Sequence, residues 1–62
     1  MKEFLQQYVY LHIEIQEKQF YYTHAFITSI SPTHIFFNDD YGNPCCYKKE
    51  DIVEIKLSNK GR

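Results

Sequence analysis

Sixty-two residues make one small domain or a subunit of something larger, and a chain this short buries only about 60% of the surface its unfolded form exposes. Six Tyr and five Phe raise the aromatic share to 18% within a globular composition of 44% hydrophobic and 24% charged residues, which argues against disorder, because so many rings need burial. Seven Lys+Arg against eight Asp+Glu give a net charge of −1, which excludes the strongly basic profile of a protein that grips nucleic acid by charge alone.

Phe4, Leu5 and Tyr8 recur at i, i+1 and i+4, which suits a short amphipathic helix over residues 1–8 that must pack on whatever follows. Val9, Leu11, Ile13 and Ile15 alternate with polar neighbours as a half-buried strand. Phe20 to Ile30, rich in β-branched and aromatic residues, reads as a longer second strand. Ser31-Pro32-Thr33 punctuates it, His34 to Asn38 is a third strand, and Asp39-Asp40-Tyr41-Gly42-Asn43-Pro44 is dense in turn formers. Cys45 to Lys48 is a fourth strand. Lys49-Glu50-Asp51 reads as a single tight turn before Val53, Ile55 and Leu57 alternate in a fifth. The expected fold is mainly β: a short N-terminal helix and a strongly bent five-stranded antiparallel sheet, nearly closed into a small barrel over residues 9–57, with residues 58–62 as a tail. Closure would also remove edges that invite aggregation.

The first hairpin leaves its register open, because Glu17-Lys18-Gln19 lacks the Asn-Gly or Gly-X pair of a two-residue turn. With those three residues as the loop, His12 pairs with His24 and Tyr10 with Phe26, and the outward face carries Tyr10, His12, Phe20, Tyr22, His24 and Phe26. A slip of one residue sends Phe20, Tyr22, His24 and Phe26 inward. A bend or bulge in the long second strand lets each reading hold over part of its length.

This order of pieces, with Phe4-Leu5-Gln6 in the helix and Tyr47-Lys48-Lys49 entering the last strand, resembles the Sm-like family and in particular its bacterial RNA chaperones, the Hfq proteins. The resemblance covers most of the chain. It implies a self-associating RNA-binding barrel in which Gln6 and Gln7 add hydrogen bonds to a base edge. The chain departs from the family pattern where it has no glycine in Glu17-Lys18-Gln19 or Tyr22-Thr23-His24, where Lys49 stands for the histidine beside the uridine pocket, and where His34 stands for the strand-three aromatic. SH3-like domains and the acidic Sm-like inhibitors of transcription termination share the same general pattern.

Neutrality is an average. Residues 47–62 hold Lys48, Lys49, Lys56, Lys60 and Arg62 against Glu50, Asp51 and Glu54, a local +2, while residues 1–46 sum to −3. Single-stranded nucleic acid is held by a positive groove with stacking aromatics, and Tyr47, Lys48 and Lys49 are the best local candidates; a solvated face that keeps an edge strand soluble is the plain alternative. A core of this size cannot hide eleven rings, so Tyr10, Phe20, Tyr22, Phe26 and Tyr41 are candidates for an interface, with a second copy or with another protein. The adjacent Cys45 and Cys46 read as reduced thiols, one facing in and one out.

His12 and His24 could share an ion only if Glu14 or a cysteine completed the set, and no dense ligand motif is present, so no metal or other cofactor is expected. No phosphate loop, H-E-x-x-H or nucleophile elbow appears, and Asp39-Asp40 and Glu50-Asp51 read as turn chemistry, so no catalysis is expected. Neither a signal peptide nor a membrane-spanning run is visible, which leaves the cytoplasm as the expected setting. The leading expectation is a non-catalytic Sm-like module that binds RNA or single-stranded nucleic acid modestly. The second is a protein-interaction module, a regulator or inhibitor, that docks through an aromatic face or an edge strand.

Overall fold

The structure is a computed structural model that describes residues 1–58; the expected tail, with Lys60 and Arg62, falls almost wholly outside the described residues. Five strands, β1 (Tyr8–Ile15), β2 (Lys18–Ile30), β3 (His34–Asn38), β4 (Pro44–Lys48) and β5 (Ile52–Leu57), form one antiparallel sheet in the order β4-β3-β2-β1-β5. The expected strands are all present, and the Lys49–Asp51 segment is a single 3-10 turn, as its length implied. Among the described residues no helix is long and apolar enough to cross a membrane. The sheet does not close on itself: β4 and β5 remain its two edges.

The expected N-terminal helix is a single 3-10 turn over Lys2–Phe4. Leu5 is already extended, and Gln6 takes a left-handed φ of 58°. A competing partner ends the turn. Gln6 N–H donates to the Ile27 carbonyl at 2.8 Å, and Ile27 N–H donates to the Gln7 carbonyl at 3.1 Å. Pairing with β2 satisfies backbone groups that a short isolated helix would hold only weakly.

The first hairpin also differs from the three-residue loop. Ile15 pairs with Lys18, so Gln16 and Glu17 alone make the turn, with φ of 50° and 69°. Positive φ at both central residues is the geometry that twists with the flanking strands. This turn adopts it without Asn or Gly, which is why it left no signal in the sequence. Consequently His12 faces Tyr21 and not His24.

A bulge then changes the phase of β2. Leu11 pairs with Tyr22 but Val9 with Ala25, so Tyr10 stands against two residues, Thr23 and His24. The extra residue reverses which side chains face inward: Phe20 and Tyr22 point to the core before it, and Ala25 and Ile27 after it. Each of the two expected facings therefore holds in one half of the strand, but the expected pairings do not: Phe26 stands opposite Tyr8 rather than Tyr10. The β3–β4 turn pins the bulge. The Asp40 carboxylate accepts from the Thr23 hydroxyl at 3.0 Å and from His24 N–H at 3.1 Å. Asp39 organises the turn itself, accepting from Tyr41 N–H at 2.9 Å and Asn43 N–H at 2.8 Å, while Gly42 supplies a φ of 84°.

The core lies against one face of the sheet. Val9, Leu11 and Ile13 of β1, Ala25 and Ile27 of β2, and Ile35 and Phe37 of β3 are each at most 1% exposed. Phe4, Ile52 and Ile55 pack against them from the two ends of the chain. No side chain of β5 is fully buried.

Candidate nucleic-acid interface

The Ser31-Pro32-Thr33 turn builds the candidate site. Ser31 Oγ accepts from His34 N–H at 2.9 Å and Thr33 N–H at 3.3 Å, and Ser31 N–H donates to the His34 carbonyl at 3.0 Å. Lys49 N–H donates to the Thr33 carbonyl at 2.8 Å. That bond carries the β3–β4 ladder one step further and fixes where the Lys49–Asp51 turn begins. The result is an open hollow of about 470 Å³ lined by Pro32, Thr33, His34, Lys48, Lys49 and Glu50. On the other side of Pro32 and Lys49, a second hollow of about 580 Å³ continues to Met1, Lys2 and Leu5. Pro32 and Lys49 line both, so the two hollows adjoin along the sheet end as a stepped groove.

The charge of this groove is positive. Lys48 lies 3.8 Å from Glu50, and the N-terminal ammonium lies 3.3 Å from Glu3. A backbone hydrogen bond to Glu3 and that ammonium hold the Glu3 carboxyl below its ordinary range. Lys2 and Lys49 have no carboxylate within ion-pair distance among the described residues. Two unneutralised cations therefore border a groove with apolar walls at Leu5, Ile30 and Pro32.

Lys48 and Lys49 come together here as the sequence suggested. Gln6 and Gln7 sit next to Leu5 but line neither hollow, and their backbones are engaged with Ile27. Tyr47 turns inward. Its ring lies parallel to that of Phe37 at 5.9 Å, and its hydroxyl shares a 2.7 Å hydrogen bond with the Tyr22 hydroxyl. It packs against the core rather than standing free as a platform for a base. Lys2 is the cation the sequence reading missed; 47 positions separate it from Lys49, and only the docking of the N-terminal turn brings them together.

The Tyr22–Tyr47 pair closes the hydrocarbon core on one side. Burial, then the bond to Tyr47, raises the Tyr22 pKa well above the ordinary tyrosine range. Burial likewise raises that of Cys45, with the Asp39 charge adding to it. Both cysteines are free thiols, Cys45 half-buried and Cys46 exposed, matching the in-and-out reading.

The five interface candidates divide. Phe20 and Tyr22 pack on the core, a consequence of the bulge phase. Tyr10 and Phe26 are half-buried on the outer face, with the Lys56 ammonium 5.2 Å over the Tyr10 ring and Tyr8 5.0 Å from Phe26. Tyr41, at the tip of the β3–β4 turn, is 90% exposed. Tyr21, which the sequence reading did not single out, is 59% exposed and stacks on His12 at 4.4 Å. Its exposure follows from the two-residue hairpin turn. His24 Nδ1 meets the Ser58 hydroxyl at 2.7 Å, and among the described residues no three His, Cys, Asp or Glu side chains converge as metal ligands.

Fold and groove together define a small all-β module with a shallow, cation-bordered surface site. Comparison with protein-family models, characterised proteins and solved structures gives no match.

Proposed function

We propose that this chain is a non-catalytic binding module of Sm-like or SH3-like build, its bent sheet curling toward a small barrel, that self-associates and binds single-stranded RNA modestly. The observation that supports this reading most is the pair of adjoining hollows, one bordered by Lys48, Lys49 and His34, the other by Lys2 and Lys49, with Pro32 common to both. Lysines along such a groove contact phosphates, and the half-exposed His34 ring offers a small stacking surface. The two free thiols suit a reducing, cytoplasmic setting.

Titration of fluorescently labelled single-stranded RNA at two salt concentrations tests the reading. Three phosphate contacts on a single strand predict roughly a 20-fold loss of affinity for a fourfold rise in salt. Lys2→Ala and Lys49→Ala should each weaken binding and flatten that dependence. Absence of binding at low salt, with neither substitution making a difference, sinks the nucleic-acid reading.

A second reading, a regulator or inhibitor that docks on another protein, is favoured by Tyr41 and Tyr21, whose rings stand in solvent. Tyr is a residue that interfaces favour. Capture of a protein partner that Tyr41→Ala abolishes and Lys49→Ala leaves intact would select it.

A further inference from the structure

The free edge of β5 carries a pattern that complements itself. Ser58 N–H donates to the Tyr8 carbonyl at 2.9 Å, and further along Lys56 stands opposite Tyr10 and Glu54 opposite His12. Bonded and non-bonded pairs alternate in an antiparallel ladder. The backbone groups of Glu54, Lys56 and Ser58 therefore face β1, and those of Ile55 and Leu57 face away from it. β5 ends the sheet on that side, and among the described residues no backbone group meets them there. Val53 and Leu57 are 54% and 59% exposed along the same edge. The opposite edge is blunted: β4 has five residues, starts at Pro44, which has no N–H to offer, and ends at Lys48.

We propose that two copies of the chain pair through β5, antiparallel about a two-fold axis at Ile55. In that register Ile55 meets the partner's Ile55, Glu54 meets the partner's Lys56, and Val53 meets the partner's Leu57. The outward backbone groups of Ile55 then bond across the axis. Charge selects this alignment over its neighbours. A symmetric antiparallel pair centred on Glu54 or on Lys56 sets like charges face to face, as does a parallel pair in register, and opposed like charges destabilise a sheet. A slip of one residue puts the outward backbone groups out of phase. The surface is isologous, so it closes at two copies. This proposal rests on the self-association part of the proposed function and is independent of RNA binding.

Sedimentation equilibrium on the full chain tests it. Wild type should reach the mass of a dimer and no more. Glu54→Lys alone and Lys56→Glu alone each place two like-charge pairs across the axis and should weaken the dimer about tenfold or more. An equimolar mixture of the two variants should regain wild-type affinity, because each altered charge then faces its complement. Loss of fold cannot produce a gain on mixing. Should either variant fail to fold, amide exchange on wild type gives the second measurement: Ile55 and Leu57 should become protected as concentration rises through dimerisation. A dimer indifferent to both substitutions and to mixing, or one in which Ile55 and Leu57 stay unprotected, overturns the β5 interface while leaving self-association intact. A mass above a dimer overturns it too, and a wild-type monomer at high micromolar concentration overturns both.

Discussion

The two halves of β2 are built to different rules. Beyond the bulge, the inward side chains of β2 are the aliphatic Ala25 and Ile27, and each is fully buried. Before it, Phe20 and Tyr22 enter an aromatic layer with Phe37 and Tyr47, where every ring but that of the fully buried Phe37 stays half-buried and the two tyrosine hydroxyls share one hydrogen bond. The aliphatic half holds by area removed from water. The aromatic layer adds ring geometry and a polar pair that must stay matched. One carboxylate, Asp40, separates the two by holding the residue that changes the phase. A strand of 13 residues thereby serves two surfaces that a straight strand could not.

The largest break in that comparison should come from the aliphatic half. Ile27→Ala removes a fully buried side chain at a cost of about 2–5 kcal/mol. A core of this size supplies only about 3–5 kcal/mol in all. Thermal melts followed by circular dichroism should show the cooperative transition nearly lost. Next comes the boundary: Asp40→Ala strips two acceptors from the bulge and should cost about 1–3 kcal/mol, read as a lower urea midpoint. Its slope should stay unchanged if only stability is altered.

The aromatic layer should respond more gently and in a pH-dependent way. Tyr47→Phe leaves the Tyr22 hydroxyl without its partner at a cost of about 0.5–1.5 kcal/mol; adding Tyr22→Phe should recover part of it, because both ends of the bond are then gone. Tyr22 is an acid whose folded pKa is raised. The folded state keeps a proton that the unfolded chain releases near pH 10. Its contribution is therefore complete below about pH 10 and declines as pH rises further. Tyr22→Phe should flatten the alkaline limb of a stability–pH profile; an unchanged limb would show that another group governs it. The smallest effect is a gain. Gln16→Asn with Glu17→Gly places residues that favour positive φ in the hairpin turn and should add about 0.5–1 kcal/mol.

Strand number and order of elements were legible because β1 and β5 keep strict alternation and the β3–β4 turn is rich in Asp, Gly and Asn. The register was not, because Gln16 and Glu17 adopt a turn geometry that their side chains do not advertise. Tyr47 was nominated as a stacking residue with no facing assigned to it: it shares one phase of β4 with Cys45, and the sequence left open which of the two cysteines faces in. Lys48 and Lys49 were readable as neighbours in sequence. Lys2 was not, because a three-residue 3-10 turn leaves no periodic trace.

The strand order has a consequence for how the chain reaches this state. β1 is the first strand made, yet one of its two neighbours is β5, the last, and Val9 must find Leu57 across nearly the whole sequence. While the chain is being synthesised, the β1–β2–β3–β4 meander can assemble with only local pairings, but one flank of β1 stays bare. That flank belongs to the strand that carries Val9, Leu11 and Ile13. Non-local closure of this kind is slow relative to hairpin formation, so docking of β5 is the expected late, rate-limiting event. Until it occurs, β1 presents an unpaired edge to other chains.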